Sequence, residues 1–349
     1  MSVLPAASPA RQYTTLALLA ALALLALVGA GLAGSVAVPF AELPQALASL
    51  VAGEPAGMAA TLLDLRLGRA SSAFATGAAL ALAGVMMQAL VRNPLADPYV
   101  LGVSAGAAVG ALAALLFGAA LWAVDLGALG GAVGISLLLY LLARRDLGGM
   151  RGGGPGGLRS GESGVLLLTG VVLASACMAL VTLMLSVAPE SRLRGMVFWM
   201  IGDLAGAGWR ILPWLVLGAA LLLAMRRARA LNVMALHADA AAALGIDVGA
   251  ARRFLFLCSG LLTACAVTTG GSIGFVGLVV PHACRYAFGP DHRILLPAAT
   301  LVGGSFLVLA DTLARTVLAP QQLPVGVLTS LIGVPVFLFQ LHQLHVRRR

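Results

Sequence analysis

Long apolar runs alternate along the whole chain with short polar connectors, most of them bearing arginine. The runs fall at about 14–34, 70–91, 98–117, 126–143, 164–187, 209–225, 254–270, 273–288, 294–314 and 324–341. A membrane-spanning helix needs about 20 apolar residues, so the pattern predicts an all-α chain with about ten transmembrane helices. The first run follows Arg11 as a secretory leader would, but it is long enough to span and is read as a retained first helix. The eighth, "GGSIGFVGLVVPH", has glycines ahead of it and Pro281 near its middle. It predicts a short or broken helix enclosed by protein, because irregular backbone at membrane depth survives only there or beside water. Between the second and third runs stands "RNPLADPYVLGVSAGA", from Arg92 to Ala107. Asn93 and Asp97 can satisfy backbone groups of a turn, while Pro94 and Pro98 stop one helix and start the next.

Composition agrees with that pattern. Of 349 residues, 60% are hydrophobic and 10% charged, whereas soluble domains carry about 25% charged residues. Lipid is the expected solvent, and ten spans leave no room for a second soluble domain, so residues 1–349 read as one membrane domain. The segment 144–163 is glycine-rich and reads as a flexible loop. Gly102, Gly106 and Gly110 repeat every four residues, and Gly77, Ala81 and Gly84 form a similar face. Such faces let helices approach closely in lipid.

Charge narrows the function. All 22 basic residues are arginine, which excludes a lysine-bearing phosphate loop and any Schiff-base chemistry. Work driven by ATP would therefore need a second chain to hydrolyse it. With the N-terminus inside, six arginines fall outside: Arg66, Arg69, Arg192, Arg194, Arg210 and Arg315. The other sixteen fall inside, so both termini are expected in the cytoplasm. None of the 13 carboxylates maps to mid-membrane, where ion-coupled carriers hold relay groups. A secondary carrier is thus disfavoured. No paired carboxylates and no nucleophile–base cluster point to an enzyme. The four cysteines read as small buried hydrophobes. The histidines lack metal-ligand spacing, and no metal, cofactor or nucleic acid is expected on this chain.

Two polar regions remain as candidate contacts. Arg66, Arg69 and Arg315 sit at outer helix ends, as snorkelling anchors or as a docking surface for acidic side chains, which arginine grips bidentately. After the sixth run, "RRARALNVMALHADAAAALGIDVGAARR" is too short and mixed to span. Its centre, including Ala235, Leu236, His237, Ala238, Asp239, Leu244 and Gly245, predicts a helix ending at Gly245. That helix is either a surface element or a plug for a groove on a cytoplasmic motor.

From about residue 60 to 341 the chain resembles the permease subunits of binding-protein-dependent ABC importers for iron–siderophores, haem and vitamin B12. The resemblance rests on "RNPLADPYVLGVSAGA", "FWMIGDL", "LNVMALHADAAAALGI", "GSIGFVGLVVPHACR", "DHRILLP", "ADTLAR" and "LPVGVLTSLIGVPVF", in that order. It implies a multi-pass protein of the bacterial inner membrane that works as a homodimer around a central pathway. Two cytoplasmic ATPase subunits would use ATP and magnesium, and one periplasmic binding protein would cap the outer side. Arg66, Arg69 and Arg315 match the arginines that receive glutamates of the binding protein. Residues 232–246 match the coupling helix region that docks on the ATPase. Arg92, Asn93, Pro94, Asp97 and Pro98 would form a structural turn near the gate. Gly68 replaces the family's usual proline, Gln322 its glutamate, His237 a glycine and Ala238 an acid, while Asp239 keeps a negative charge. The implied mechanism is alternating access. The expected cargo is an iron chelate, haem or a ferric siderophore, with cobalamin as the alternative.

Overall fold

The computed structural model describes residues 9–53, 55–147, 162–236 and 238–346. Among the described residues there are thirteen α-helices: α1 (Pro9–Leu32), α2 (Leu43–Val51), α3 (Gly57–Val91), α4 (Val103–Leu116), α5 (Leu121–Leu147), α6 (Glu162–Val187), α7 (Glu190–Ile201), α8 (Ile211–Leu236), α9 (Ala238–Ala243), α10 (Val248–Gly270), α11 (Val276–Phe288), α12 (His292–Thr316) and α13 (Val325–Val346). Of the predicted loop at 144–163, residues 148–161 lie outside the described residues, and its flanks belong to α5 and α6.

Among the described residues, eight helices are long and apolar enough to cross a membrane: α1, α3, α5, α6, α8, α10, α12 and α13. The other two predicted spans are α4 and α11, of 14 and 13 residues. At 1.5 Å per residue they reach only about 21 and 20 Å, short of a hydrocarbon core of about 30 Å. Backbone outside the α-helical pattern precedes each. A 3-10 turn, Pro98–Leu101, precedes α4, and residues 271–275 precede α11, ending in Phe275 with φ 68°. The Tyr99 hydroxyl donates to the Ile273 carbonyl at 3.0 Å and accepts from the Ile273 amide at 3.1 Å. One phenol thus satisfies both polar groups of a residue that no helix serves, as burial demands.

Helix α3 begins at Gly57, thirteen residues ahead of the predicted start at 70, and is buried almost throughout. Small residues make that possible. A methyl group at Gly84 would strike the Gly277 carbonyl of α11, and one at Gly77 would strike that of Gly303 on α12. Helices α4 and α5 meet the same way, Gly110 against Gly127 and Gly106 against Gly131. Gly102, expected on that face, instead holds a left-handed cap (φ 75°) between the 3-10 turn and α4. Around α3, helices α1, α5, α6, α8 and α13 expose leucine, valine and phenylalanine over much of their length.

Helices α2, α7 and α9 lie outside the ten predicted runs. α7 turns back into the bundle and stops at Gly202 (φ 89°), whose carbonyl accepts from the Gly326 amide at the start of α13, 3.1 Å away. α9 ends in a Schellman closure: the Gly245 amide bonds the Ala242 carbonyl and the Ile246 amide that of Ala241, both at 3.0 Å. Gly245 supplies the left-handed residue this needs (φ 78°).

Candidate functional site

Arg66, Arg69 and Arg315 meet at the end of the bundle where α1 and α12 stop. They are interior groups: Arg66, Arg69 and Arg315 are 7%, 7% and 5% exposed, and Asp311 between them 1%. Arg69 grips Asp311 through Nη2 at 2.7 Å and Nε at 3.0 Å, and donates through Nη1 to Gln322 Oε1 at 2.8 Å. Arg315 lies one helical turn beyond Asp311, with Nε 3.2 Å from Oδ2. That approach is out of line, and the Nε–H has no hydrogen-bond acceptor. Arg315 Nη2 donates to the Ala30 carbonyl at 3.2 Å, while Arg66 donates to the carbonyls of Leu32 (3.1 Å) and Val36. The two arginines therefore cap the last turn of α1, where unpaired carbonyls and the negative end of the helix dipole lie.

Both readings of these arginines, snorkelling anchors or a docking surface, place them at helix ends, because the second apolar run begins at residue 70; the structure buries them instead. Helix α3 carries them into the core, where the α1 carbonyls and Asp311 engage them. Three guanidinium charges against one carboxylate leave the cluster at +2. Gln322, a neutral side chain, accepts from Arg69 without lowering that charge.

The opposite end of the bundle is built differently. α8 runs well past its predicted end at 225, and α9 folds back on it. Met234, Ala241, Val248 and Ala251 form a small apolar cluster separate from the main core. Ala235 and Leu236 end α8, Ala238 and Asp239 open α9, and His237 lies outside the described residues. Leu244 is 71% exposed, and Gly245 beside it is exposed as well. Asp247 caps α10 by accepting from the Ala250 amide at 2.8 Å. Arg227 stacks on Phe254, 4.1 Å from the ring centroid. An exposed leucine at the tip of a short helix, framed by arginines, is a shape that a groove on another protein can take.

The turn from Arg92 to Pro98 starts at this same end and climbs inward. Arg92 ends α3 in the left-handed conformation (φ 55°). Asn93 Oδ1 accepts from the Leu95 amide at 2.9 Å, and Asp97 Oδ1 from the Tyr99 amide at 2.7 Å. Pro94 stays exposed, whereas Pro98 is buried against Gly277. Burial pushes the Asp97 carboxyl up to about 6, against the opposing effect of the Tyr99 amide. The turn thus delivers Tyr99 and Ser104 to the break before α11, and Ser104 Oγ donates to Ser272 Oγ at 3.0 Å.

A profile of the FecCD transport family matches residues 17–343, nearly the whole chain. The chain belongs to the FecCD transport family. It is 41% identical over 283 residues to the vitamin B12 import system permease protein BtuC of Escherichia coli O127:H6, covering 80% of this chain and 82% of that one. BtuC of Escherichia coli O139:H28 matches to the same extent. Among solved structures, a chain described as a metal-chelate type ABC transporter in an inward-facing conformation superposes with a TM-score of 0.79 at 30% identity, over 95% of this chain and 99% of that one. The PsaBC complex of Streptococcus pneumoniae shares the fold at 16% identity and a TM-score of 0.56, over 85% of this chain and 95% of that one. This FecCD chain is accordingly a permease of the type II ABC importer class and a multi-pass protein of the inner membrane.

The sequence singles out neither Asp311 nor Asp291, and gives Asn232 only as the first residue of the 232–246 region. Asp311 lies inside "ADTLAR", four residues before Arg315, and that spacing was its signal. Asn232 and Asp291 lie inside "LNVMALHADAAAALGI" and "DHRILLP", yet nothing in either stretch says that they meet. In the structure Asn232 Nδ2 donates to Asp291 Oδ1 at 2.7 Å.

Proposed function

We propose that this permease carries a metal chelate inward across the bacterial inner membrane, driven by ATP hydrolysed on separate subunits, and that its cargo is a corrinoid of the vitamin B12 type. The observation that supports the cargo is the 41% identity with a vitamin B12 permease. The family resemblance favoured an iron chelate, and that relative moves the weight to a corrinoid. An iron chelate carried by the same class of importer is the second reading, favoured by the likeness to a metal-chelate type transporter.

Residues 1–349 act as one unit, and two copies enclose the pathway. Two ATPase subunits sit at the α9 end, where Ala235 to Gly245 docks on them. One binding protein sits at the arginine end. The chain holds no cofactor of its own, and ATP and magnesium belong to the ATPase. Nucleotide binding displaces α9, and the bundle passes from one open side to the other because the partners bind the two states unequally. The turn from Arg92 to Pro98 and the break before α11 lie close to the gate.

The arginine cluster attracts acidic side chains of the binding protein through its surplus charge. Buried guanidinium groups already engaged by α1 and Asp311 act here as a fixed field, which steers a charged partner and sets its register.

Uptake of labelled cobalamin, haem and ferric siderophores is compared in a deletion strain and its complemented parent, with and without ATP depletion. Loss of ATP-dependent cobalamin uptake alone supports the proposal. Loss of an iron chelate instead transfers the cargo to the second reading, and intact uptake of all three overturns both.

A further inference from the structure

One polar node ties the α9 end to the interior. Asn232 lies in the last two turns of α8 and is half-buried. Its side-chain nitrogen donates to Asp291 Oδ1 at 2.7 Å. Its oxygen accepts from the His292 amide at 2.8 Å and lies 2.7 Å from His292 Nδ1. Asp291 Oδ1 also accepts from the Arg293 amide at 2.9 Å and so caps α12. His292 is 4% exposed, and its far nitrogen, Nε2, has no hydrogen-bond partner. The imidazole is held on the Asn232 side only.

We propose that Asn232 is the positioning residue through which displacement of α9 reaches the turn between α11 and α12. Two observations carry this beyond helix capping. First, the apolar cluster around Met234 and Ala241 is separate from the main core and takes in Val248 and Ala251 of α10, so the α8–α9 tip and the start of α10 form one small body that can shift against the bundle. Second, the far side of the turn is tied to the centre. Arg285 of α11 donates to Gln88 Oε1 of α3 at 2.9 Å, and Gln88 Nε2 donates to the Leu278 carbonyl at 3.4 Å. Motion handed to Asp291 and His292 therefore enters α11 and α12 together, and α11 begins at the break that Tyr99 pins. A cap alone would need only Asp291. The amide of Asn232 adds one bond to that carboxylate and one to the His292 amide, joining the tip to both.

The inference rests on the reading that an ATPase docks at α9. The test uses the chain purified with its ATPase, in lipid nanodiscs, with ATP hydrolysis measured with and without the binding protein. In the Asn232→Ala complex, ATPase stoichiometry and basal hydrolysis are measured on the same preparation, and the increment is read relative to both. The increment caused by the binding protein is expected to fall about fivefold or more, the usual scale of a lost coupling. Asp291→Asn should keep most of the increment, because its amide oxygen still accepts from Asn232 and Arg293. The double variant Asn232→Ala/Asp291→Ala should lose no more than Asn232→Ala alone. A full increment in Asn232→Ala overturns the proposal, including the case in which the complex melts earlier yet stays coupled. If that variant does not assemble, Asp291→Ala removes the same bond from the turn side and is read by the same criterion. A wild-type chain that brings down no ATPase refutes the docking reading itself, a result distinct from either outcome above.

Discussion

The two ends of the bundle carry similar sequence signals and fold into opposite arrangements. At one end three arginines are interior groups, bound to helix carbonyls and to Asp311. At the other, arginines frame a short helix whose Leu244 faces outward and whose apolar cluster is its own. The first end resists change because each charge is held by neighbours on other helices. The second tolerates change because little else packs on it. A charge run in sequence therefore does not tell a contact surface from an internal brace. What decides is whether the helix carrying it continues past the charges into the core.

Removing the carboxylate at the first end strikes hardest. Asp311→Ala leaves Arg69 and Arg315 buried without a counter-charge, and breaking a buried pair costs about 3–5 kcal/mol. Thermal unfolding in detergent should show a large loss of folded protein, and an unchanged melting curve would mean that the cluster does not brace α3 on α12. Next comes the glycine seam. Gly84→Val forces a side chain into the Gly277 carbonyl, an overpacking expected to cost about 1–3 kcal/mol or more. The same exchange at Gly134, where nothing lies within 4 Å, should cost less, and equal losses would deny the seam its role.

Replacing residues 238–244 with a Gly/Ser linker should release the ATPase while leaving the melting of the bundle nearly unchanged. Copurification at normal stoichiometry would place the motor elsewhere. Gln322→Glu is gentler and should separate two properties. A carboxylate facing Arg69 replaces a neutral acceptor with a charged one, for a gain of about 1 kcal/mol. It also lowers the cluster from +2 to +1, so binding-protein affinity should fall and its salt dependence flatten. Stronger docking with a steeper salt slope would sink the field account.

The smallest effect concerns pH. The folded chain holds the Asp97 proton up to about 6, above the ordinary value of 3.8. Its contribution is present in full below about pH 4, fades as pH rises through about 6, and is flat above that. Asp97→Asn should remove this slope from melting temperatures measured between pH 4 and 7.

Much of the fold was legible because lipid imposes length. All ten apolar runs became helices, and the broken character of the eighth followed from its glycines and Pro281. What stayed hidden depends on contacts between distant residues. Asp311 reads as one more acid near a helix end until α3 brings Arg69 to it across 242 positions. Asn232 and Asp291 stand 59 residues apart. The extension of α3 to Gly57 was missed because hydropathy falls at Asp64, Arg66 and Arg69, although helix propensity does not. α7 was missed because a twelve-residue helix that turns back into the bundle has no spanning length to announce it.

The central claim is that this permease moves a chelate at the expense of ATP hydrolysed by a partner. Reconstitution into liposomes with the ATPase and the binding protein tests it directly, using labelled cobalamin, haem and a ferric siderophore in parallel. The account predicts uptake of one of them that requires ATP and is indifferent to a proton uncoupler. Uptake that persists without ATP and collapses with the proton gradient would contradict it.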